Sequence, residues 1–412
     1  MKLVVALTAA AALAAGALVA PAATAAPAPA PTGLVKKSFM VYSKFTSRQV
    51  VTYGNANGVG DLTITQGTVT DTAGKKVGTL TAVVRVVAPS PKKDAELRDT
   101  QSSVTLNDGT IFAQAVNEDP KGKPPEELHI MPVTGGTGAY ATARGTLLMR
   151  KIGDKYLMAY DLFVEKDLKA STLNFTNVVQ TTATGNGAQG IGNVTLTRAT
   201  GGDNSYVSVA TRAGSAGGTT IDSVDLQVFT ATGSLFARAI ARTKGGDSKD
   251  QAYAVLGGTG TYSGYRGELT LKSGGKSIAL KLAAPSGGSK PLNWVEADGA
   301  AATVTIPGGS FLAADGIMYE KVDKKKKLGD FFATQTTYDE IDGVTPIVTM
   351  IEQDFKTGTM LITGITLSTG ADGPAVVRPI VGGTGDYGGA AGQASSVQDA
   401  SGLWRKSARF WR

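Results

Sequence analysis

Hydrophobic and polar positions alternate with a period of two along most of the chain. Apolar residues alternate with Thr, Ser or Lys in segments separated by glycine, which is typical of strands with one buried face. Leu62, Ile64 and Val69 mark one such strand, and residues 80–87 mark a longer, β-branched one. No window of a dozen residues keeps a helical period without a glycine interruption. The pattern therefore predicts an all-β protein.

Short turns join these strands into antiparallel hairpins. Asp108-Gly109 lies between two alternating segments, which is a strong hairpin signal. A second hairpin turns at Gly153-Asp154. Counted in this way, the chain has roughly seven or eight strands in each ~120 residues, which suits a closed antiparallel barrel or a sandwich.

One phrase occurs three times along the chain, at intervals of about 122 and 125 residues. This period is far longer than that of solenoids or propeller blades, so each copy predicts a whole domain. The glycines are interpreted as structural, because they adopt backbone angles that other residues resist. The three copies are Gly135-Gly136-Thr137-Gly138-Ala139-Tyr140, Gly257-Gly258-Thr259-Gly260-Thr261-Tyr262 and Gly382-Gly383-Thr384-Gly385-Asp386-Tyr387.

The first residues have the pattern of a secretory signal peptide. Lys2 precedes an apolar stretch, and Ala23-Thr24-Ala25 supplies small residues for cleavage. We interpret residues 1–26 as the signal peptide and 27–34 as an Ala/Pro spacer, and we expect a secreted, extracellular protein. No later segment has the ~20 apolar residues of a transmembrane helix.

Glycine, proline and serine collect near two positions that divide the remaining chain. They predict domains at residues 35–168, 169–288 and 289–412, of which the third is the most divergent. The segment 403–412 is expected to be the last strand of the third domain. If its tryptophans are exposed, a carbohydrate or membrane-surface contact becomes worth testing.

Composition excludes several kinds of site. The chain has no cysteine and a single histidine, His129, so a thiol site, a His-based metal site and a Ser-His-acid triad are all excluded. We expect no metal and no organic cofactor. The formal charge of +7, from 41 basic and 34 acidic residues, describes an ordinary solvated surface, and we expect no nucleic-acid partner.

His129 and the acidic segment 118–127 are both interpreted as structural rather than functional features. We interpret His129 as an ordinary hydrogen-bonded polar residue of the strand before the first motif. The acidic segment 118–127 is either a barrel lid or an exposed excursion, and we favour the exposed excursion.

An apolar strand end, the Gly-Gly-Thr-Gly motif, an aromatic residue and a following Arg-Gly resemble the signature of the dirigent and allene oxide cyclase barrel superfamily. The first copy runs from Val133 to Gly145 and the second from Val255 to Gly267, whereas the third has Ala391 in place of the arginine. The resemblance implies three tandem eight-stranded antiparallel β-barrels, each with a mouth that holds a hydrophobic small molecule. Because family members commonly form trimers, it also implies a monomer whose three barrels pack as an intramolecular pseudo-trimer.

The same resemblance implies the positions of a ligand pocket, but it does not identify catalytic residues. The pocket candidates are Arg144, Tyr140, Arg266, Tyr262, Asp386 and Tyr387.

Three functions remain open at this point. The first is a non-catalytic dirigent-like protein that binds and positions hydrophobic or aromatic small molecules in its barrel mouths. The second is a cofactor-free cyclase or isomerase, similar to allene oxide cyclase, that acts in one repeat. The third is an extracellular or envelope structural protein, which predicts barrels without the cavity of a few hundred Å³ that a ligand needs.

Overall fold

A computed structural model describes residues 34–412 apart from 54–57, 91, 186–189, 217–218, 245–249 and 369–374. The predicted signal peptide and all but the last residue of the spacer lie outside the described residues. Gly33–Arg412 form one compact unit. The described part of the chain is almost entirely strand, which confirms the all-β prediction. None of its helices combines the length and the apolar character needed to cross a membrane.

The first repeat is a closed barrel of eight antiparallel strands. Each strand pairs with the next along the chain, and β1 also pairs with β8, which closes the sheet. The strands are β1 Leu34–Val51, β2 Leu62–Thr70, β3 Lys76–Pro89, β4 Ala95–Leu106, β5 Gly109–Pro120, β6 His129–Gly136, β7 Arg144–Ile152 and β8 Lys155–Glu165.

The second repeat has the same order in a nine-stranded sheet, because its first strand is broken in two. At the break, Phe175 inserts into the core and packs edge-on against Tyr206, with ring centroids 4.9 Å apart. The piece before the break pairs with the last strand and the piece after it with the next one. The strands are β9 Lys169–Asn174, β10 Asn177–Ala183, β11 Val194–Gly201, β12 Asn204–Ala216, β13 Thr219–Thr230, β14 Gly233–Lys244, β15 Gln251–Gly260, β16 Arg266–Lys272 and β17 Ser277–Ala283.

The third repeat is again a closed eight-stranded barrel. Its strands are β18 Lys290–Ile306, β19 Gly309–Tyr319, β20 Lys327–Tyr338, β21 Thr345–Phe355, β22 Gly358–Ser368, β23 Val376–Gly383, β24 Ala391–Gln398 and β25 Trp404–Trp411. Three one-turn 3-10 helices, Gly138–Tyr140, Ser273–Gly275 and Gly385–Tyr387, complete the regular structure of the described residues.

Each repeat buries its own apolar core, and a further cluster joins all three. Phe112, Phe236 and Leu361 occupy equivalent positions in β5, β14 and β22, and all three are buried in the shared cluster. Strands β6, β15 and β23 pack against one another. Part of the outer face of each barrel is therefore apolar where the repeats meet.

The repeated glycine motif lies at this junction. Its first glycine permits close approach to the next repeat, in a cyclic order. A Cβ atom at Gly135 would lie 2.6 Å from Cδ2 of Leu256, one at Gly257 would lie 3.0 Å from Cβ of Pro379, and one at Gly382 would lie 3.2 Å from Cβ of Pro132. The last glycine of the first motif, Gly138, has φ of +60°, which L side chains rarely adopt.

Candidate functional site

Arg266 lies at the junction of the three repeats. Its side chain is buried, with the residue 4% exposed. One guanidinium nitrogen donates to the carbonyl oxygen of Thr134 in the first repeat. The other, Nη2, donates at 2.8 Å to the carbonyl oxygens of both Val381 and Ala390 in the third repeat. Burial, together with nearby Arg144, lowers the pKa of Arg266 to about 9. Arg266 therefore joins the second repeat to the other two.

Arg144 lies beside it, at the boundary between the first and second repeats. The residue is 8% exposed, and burial lowers its pKa, opposed by the charge of Glu165. A Cβ atom at Gly389 of the third repeat would lie 3.5 Å from Cδ of Arg144. Both arginines line a cavity of about 10 Å³ between the first two repeats. The structure thus brings the two predicted arginines together, at a repeat boundary.

The motif tyrosines pack into the cores of their own repeats. Tyr140 is buried against Phe39, with ring centroids 6.2 Å apart, and burial raises its pKa to about 12. Tyr262 and Tyr387 are half-buried at the edges of the second and third cores. Asp386 is exposed. These four residues do not converge on one site, because each belongs to the motif of its own barrel.

The end of the first barrel holds a cluster of buried ionisable side chains that the sequence did not single out. Alternation along β4 points Glu96 and Arg98 into the barrel. Nε and Nη2 of Arg98 donate to Oε1 of Glu96 at 2.8 and 2.6 Å. Nη1 of Arg98 lies 3.6 Å from Oδ2 of Asp119, and Nε2 of His129 lies 3.0 Å from Oδ1 of Asp119. Strands β4, β5 and β6 therefore bring four polar side chains into one chain of contacts.

Two members of this cluster retain hydrogen-bonding capacity. The side chains of Asp119 and His129 are 1% and 3% exposed. Despite their short separation, the two are not aligned for a hydrogen bond, and neither forms one with another described residue. Buried polar atoms are rarely left in this state, and each exception calls for a partner such as a water or a ligand. The expectation of an ordinary hydrogen-bonded histidine at position 129 is therefore wrong.

Residues 121–128, which we call the mouth loop, cross the end of the first barrel above this cluster. Arg98 donates to the carbonyl oxygens of Lys123 at 2.7 Å and Pro120 at 2.8 Å. The hydroxyl of Tyr156 donates to the carbonyl oxygen of Pro125 at 2.9 Å. Most residues of the mouth loop are exposed, as expected of an excursion, and hydrogen bonds from inside the barrel also hold the loop over the mouth.

A cavity of about 40 Å³ lies beneath the mouth loop. This is well below the ~300 Å³ at which small-molecule pockets begin, so the covered cavity has room for little more than water. Its wall combines Arg98 and Asp119 of the polar cluster with apolar side chains. The apolar and rim residues include Phe45, Leu80, Val84, Met149, Arg48 and Lys123.

The lumens of the other two repeats are filled at the equivalent position. Ser102 lines the cavity of the first barrel, whereas Leu226 and Ile351, which also precede their turn glycine by seven residues, are core residues of the second and third. In the third barrel, Glu296 pairs with Lys406 at 3.0 Å, and both are buried. No group of three or more His, Asp or Glu side chains in the described ranges is placed to hold a metal ion.

Comparisons with known proteins found one matching family model and several similar solved structures. Residues 42–161 match the model of the allene oxide cyclase barrel like domain. The chain is similar to a solved pyocyanin demethylase at 23% identity, over 30% of this chain and 99% of that one, with a TM-score of 0.27. It is similar to the Diels-Alderase AbnU at 14% identity, over 32% and 98%, with a TM-score of 0.25. For the pterocarpan synthase dirigent protein GePTS1 the identity is 16%, over 35% and 94%, with a TM-score of 0.26.

No curated protein matches the sequence. The family match covers β2 to β7 of the first barrel in full and β1 and β8 in part. The later repeats carry the same motif and strand order. The first repeat of this chain therefore matches the allene oxide cyclase barrel like domain, and the chain repeats the same strand order and motif in three tandem copies.

Proposed function

We propose that the protein binds a small, mainly apolar molecule in the mouth of its first barrel and orients it through Arg98, Asp119 and His129. The observation that carries the proposal is the buried carboxylate of Asp119, which lines the cavity, lies beside His129 and has unused hydrogen-bonding capacity. A ligand with one polar group would satisfy that pair while its apolar part covers Leu80 and Met149. The proposal requires neither a metal nor an organic cofactor.

Binding requires displacement of the mouth loop, because the covered cavity of about 40 Å³ is too small for a drug-sized molecule. Two hydrogen bonds to loop carbonyl oxygens, from Arg98 to Lys123 and from Tyr156 to Pro125, hold the loop in place, and Arg98 also donates to Pro120 at the end of β5. A ligand that accepts hydrogen bonds from Arg98 replaces those that are lost when the loop is displaced. Exchange of this kind keeps the buried guanidinium satisfied in both states.

The second and third barrels serve as a scaffold in this proposal. Their lumens are filled by apolar side chains or by the Glu296–Lys406 pair, and their packing with the first barrel is fixed by Arg266. We propose further that the protein is a monomer with its barrels arranged as a pseudo-trimer, and that residues 1–26 direct its secretion. Gel filtration and mass measurement of the exported chain test these two points.

One observation favours a second function, a cyclase or isomerase that acts in the first barrel. Asp119 and His129 are buried 3.0 Å apart, and a carboxyl group and an imidazole in such a position can act as acid or base toward a bound molecule. The two functions are distinguished by His129→Gln. That variant replaces a residue of the binding site and should weaken binding in both cases, but at saturating ligand it should abolish turnover only if the site is catalytic.

The experiment that tests binding uses the fluorescent naphthalene sulfonate ANS as probe. We expect one ANS molecule to bind per chain, with affinity lost in Ser102→Leu, which introduces the side chain that the second repeat has at the equivalent position. Leu226→Met is the matched control, since it changes the second lumen while nearly conserving volume. Circular dichroism verifies the fold of both variants.

Equal ANS binding by Ser102→Leu and the unchanged protein would place the probe elsewhere and contradict the proposal. Absence of binding by the unchanged protein would favour the structural-protein hypothesis instead.

A further inference from the structure

A second concave site lies on the surface between the second and third repeats. It is an open groove with a volume of about 370 Å³, which we call the boundary groove. One wall is formed by residues that come directly after β15 in the chain, and the other by residues of β24 and β25. The side chains that line it include Thr261, Ser263, Tyr265, Gln393, Arg409 and Trp411.

Contacts between the two repeats hold the groove in shape. The backbone N–H of Gly260 donates to Oε1 of Gln393 at 2.8 Å. A Cβ atom at Gly264 would lie 2.7 Å from Cε3 of Trp411 and 3.0 Å from Pro285, so the indole packs closely on this backbone. Because these contacts exist without a ligand, the walls are preorganised and little ordering accompanies binding.

The aromatic residues of the groove are not required by the barrel plan. Tyr265 precedes the first residue of β16, and the other repeats have alanine at the equivalent position. The first residue of β16 is Arg266, and its equivalent in the third repeat is Ala391, the first residue of β24. Trp411 pairs with Ala391 across β24 and β25. The equivalents of Tyr265 are Ala143 and Ala390, and those of Trp411 are Phe163 and Ala283. Two aromatic side chains thus line the groove at one repeat boundary, where Tyr265 also packs on the second core and edge-on against Tyr262, with ring centroids 5.8 Å apart.

We propose that the boundary groove binds a saccharide. A sugar ring offers apolar C–H faces to aromatic side chains and hydroxyl groups at its edge to polar ones. Tyr265 and Trp411 are both partly exposed and supply the aromatic surface. Arg409 is exposed and supplies charged donors. Thr261 is exposed, and its hydroxyl lies on the groove wall where a sugar hydroxyl can reach it.

The chemistry of the lining also limits the class of saccharide. Arg409 is the charged residue of the groove wall, and no Asp or Glu is among the residues that line it. Neutral and acidic sugars are both compatible with this wall, whereas a cationic amino sugar would lie against the guanidinium. The groove volume of about 370 Å³ is at the lower end for small-molecule sites and fits one or two sugar units.

The test measures saturation-transfer NMR and titration of the full chain with cellobiose, N,N′-diacetylchitobiose and glucuronic acid. At least one should bind, and Trp411→Ala and Tyr265→Ala should each weaken binding about tenfold, as expected for loss of one aromatic contact. Tyr265→Ala introduces the residue that the other repeats have. Trp404→Ala is the matched control. Trp404 is also partly exposed on β25, but it lies at the opposite end of that strand from Trp411, where its indole N–H donates to Asp298.

Unchanged binding by both aromatic variants would overturn the proposal, and so would the absence of transfer to all three sugars. Binding to phosphatidylglycerol vesicles without sugar binding would also overturn it. Ser102→Leu should bind the sugars normally, which separates this site from the first-barrel mouth.

Discussion

His129 and Asp119 lie side by side in the first barrel, with Nε2 of the histidine 3.0 Å from Oδ1 of the aspartate. They come from different strands, β6 and β5, and the mouth loop connects those strands. The other carboxylate oxygen lies 3.6 Å from Arg98, which in turn holds the loop. The cluster therefore connects the buried charged side chains of the first barrel to the mouth loop through Arg98.

Asp119→Asn should reduce stability, because it removes a buried negative charge beside the buried guanidinium of Arg98. We expect a loss of about 3 kcal/mol in the free energy of unfolding, as for a broken buried ion pair. Urea unfolding measures it. The control is Asp154→Asn, whose carboxylate pairs with Lys44 on the exposed surface and should leave the midpoint unchanged. A loss no larger than that of the control would show that the cluster is not electrostatically coupled.

Arg266→Met should loosen the three repeats from one another. Methionine retains the apolar stem but leaves the carbonyl oxygens of Thr134, Val381 and Ala390 without their donor. We expect a loss of about 3 kcal/mol, since hydrogen bonds from a charged group contribute more than neutral ones. Thermal or urea unfolding measures it, and Arg150→Met, an exposed position of β7, is the control. Equal stability of the two variants would contradict the bridging role of Arg266.

Asp99→Asn should stabilise the protein at neutral pH. Asp99 lines a cavity of about 70 Å³ between the three repeats, and burial raises the pKa of its carboxyl despite the donor of Gln114 and the charge of Arg238. Because the pKa of Asp99 is higher in the folded than in the unfolded protein, the contribution of Asp99 to stability is fully present below its pKa in the unfolded chain. It is lost as the pH rises through the folded pKa.

The gain in Asp99→Asn should therefore be present at pH 7 and shrink as the pH falls toward the ordinary pKa of aspartate. Unfolding of both proteins across the acid range measures it. A variant that is less stable than the unchanged protein at every pH would show that the charge of Asp99 is needed by Arg238 or Arg85.

Lys406→Met should be strongly destabilising, and adding Glu296→Gln should restore most of the loss. Lys406 and Glu296 form a buried pair in the third barrel, and burial lowers the pKa of Lys406 against the effect of Glu296. Removing the cation alone leaves a buried carboxylate and costs about 3 kcal/mol. Glutamine keeps the oxygen that accepts from Trp294 and Gln353.

A double-mutant cycle by urea unfolding measures the coupling between Glu296 and Lys406. Additive losses would mean that the two side chains act independently, although they lie 3.0 Å apart.

The sequence alone predicted the strands, their antiparallel order and the three repeats. Alternation and turn residues are local properties, so Asp108-Gly109 and Gly153-Asp154 were correctly predicted as hairpin turns between β4 and β5 and between β7 and β8. The break of the first strand of the second repeat at Phe175 was not predicted, because it depends on a ring that enters the core beside Tyr206.

The sequence also carried an unused signal for the first-barrel mouth. Glu96, Arg98, Thr100 and Ser102 are alternate residues of one strand, so they share a face, and the equivalent of Ser102 in the next repeat is Leu226. A polar face where another repeat has a core residue could have indicated a polar lumen.

Local sequence thus determined the barrel plan and the repeat, because a period of two and a glycine turn act over a few residues. Tertiary structure decided which side chains meet. Asp119 reaches His129 through the register of β5 and β6, and Arg266 reaches Thr134 and Val381 only because three barrels pack together. Barrel register and packing between repeats depend on contacts far apart in the chain, and no local pattern encodes them.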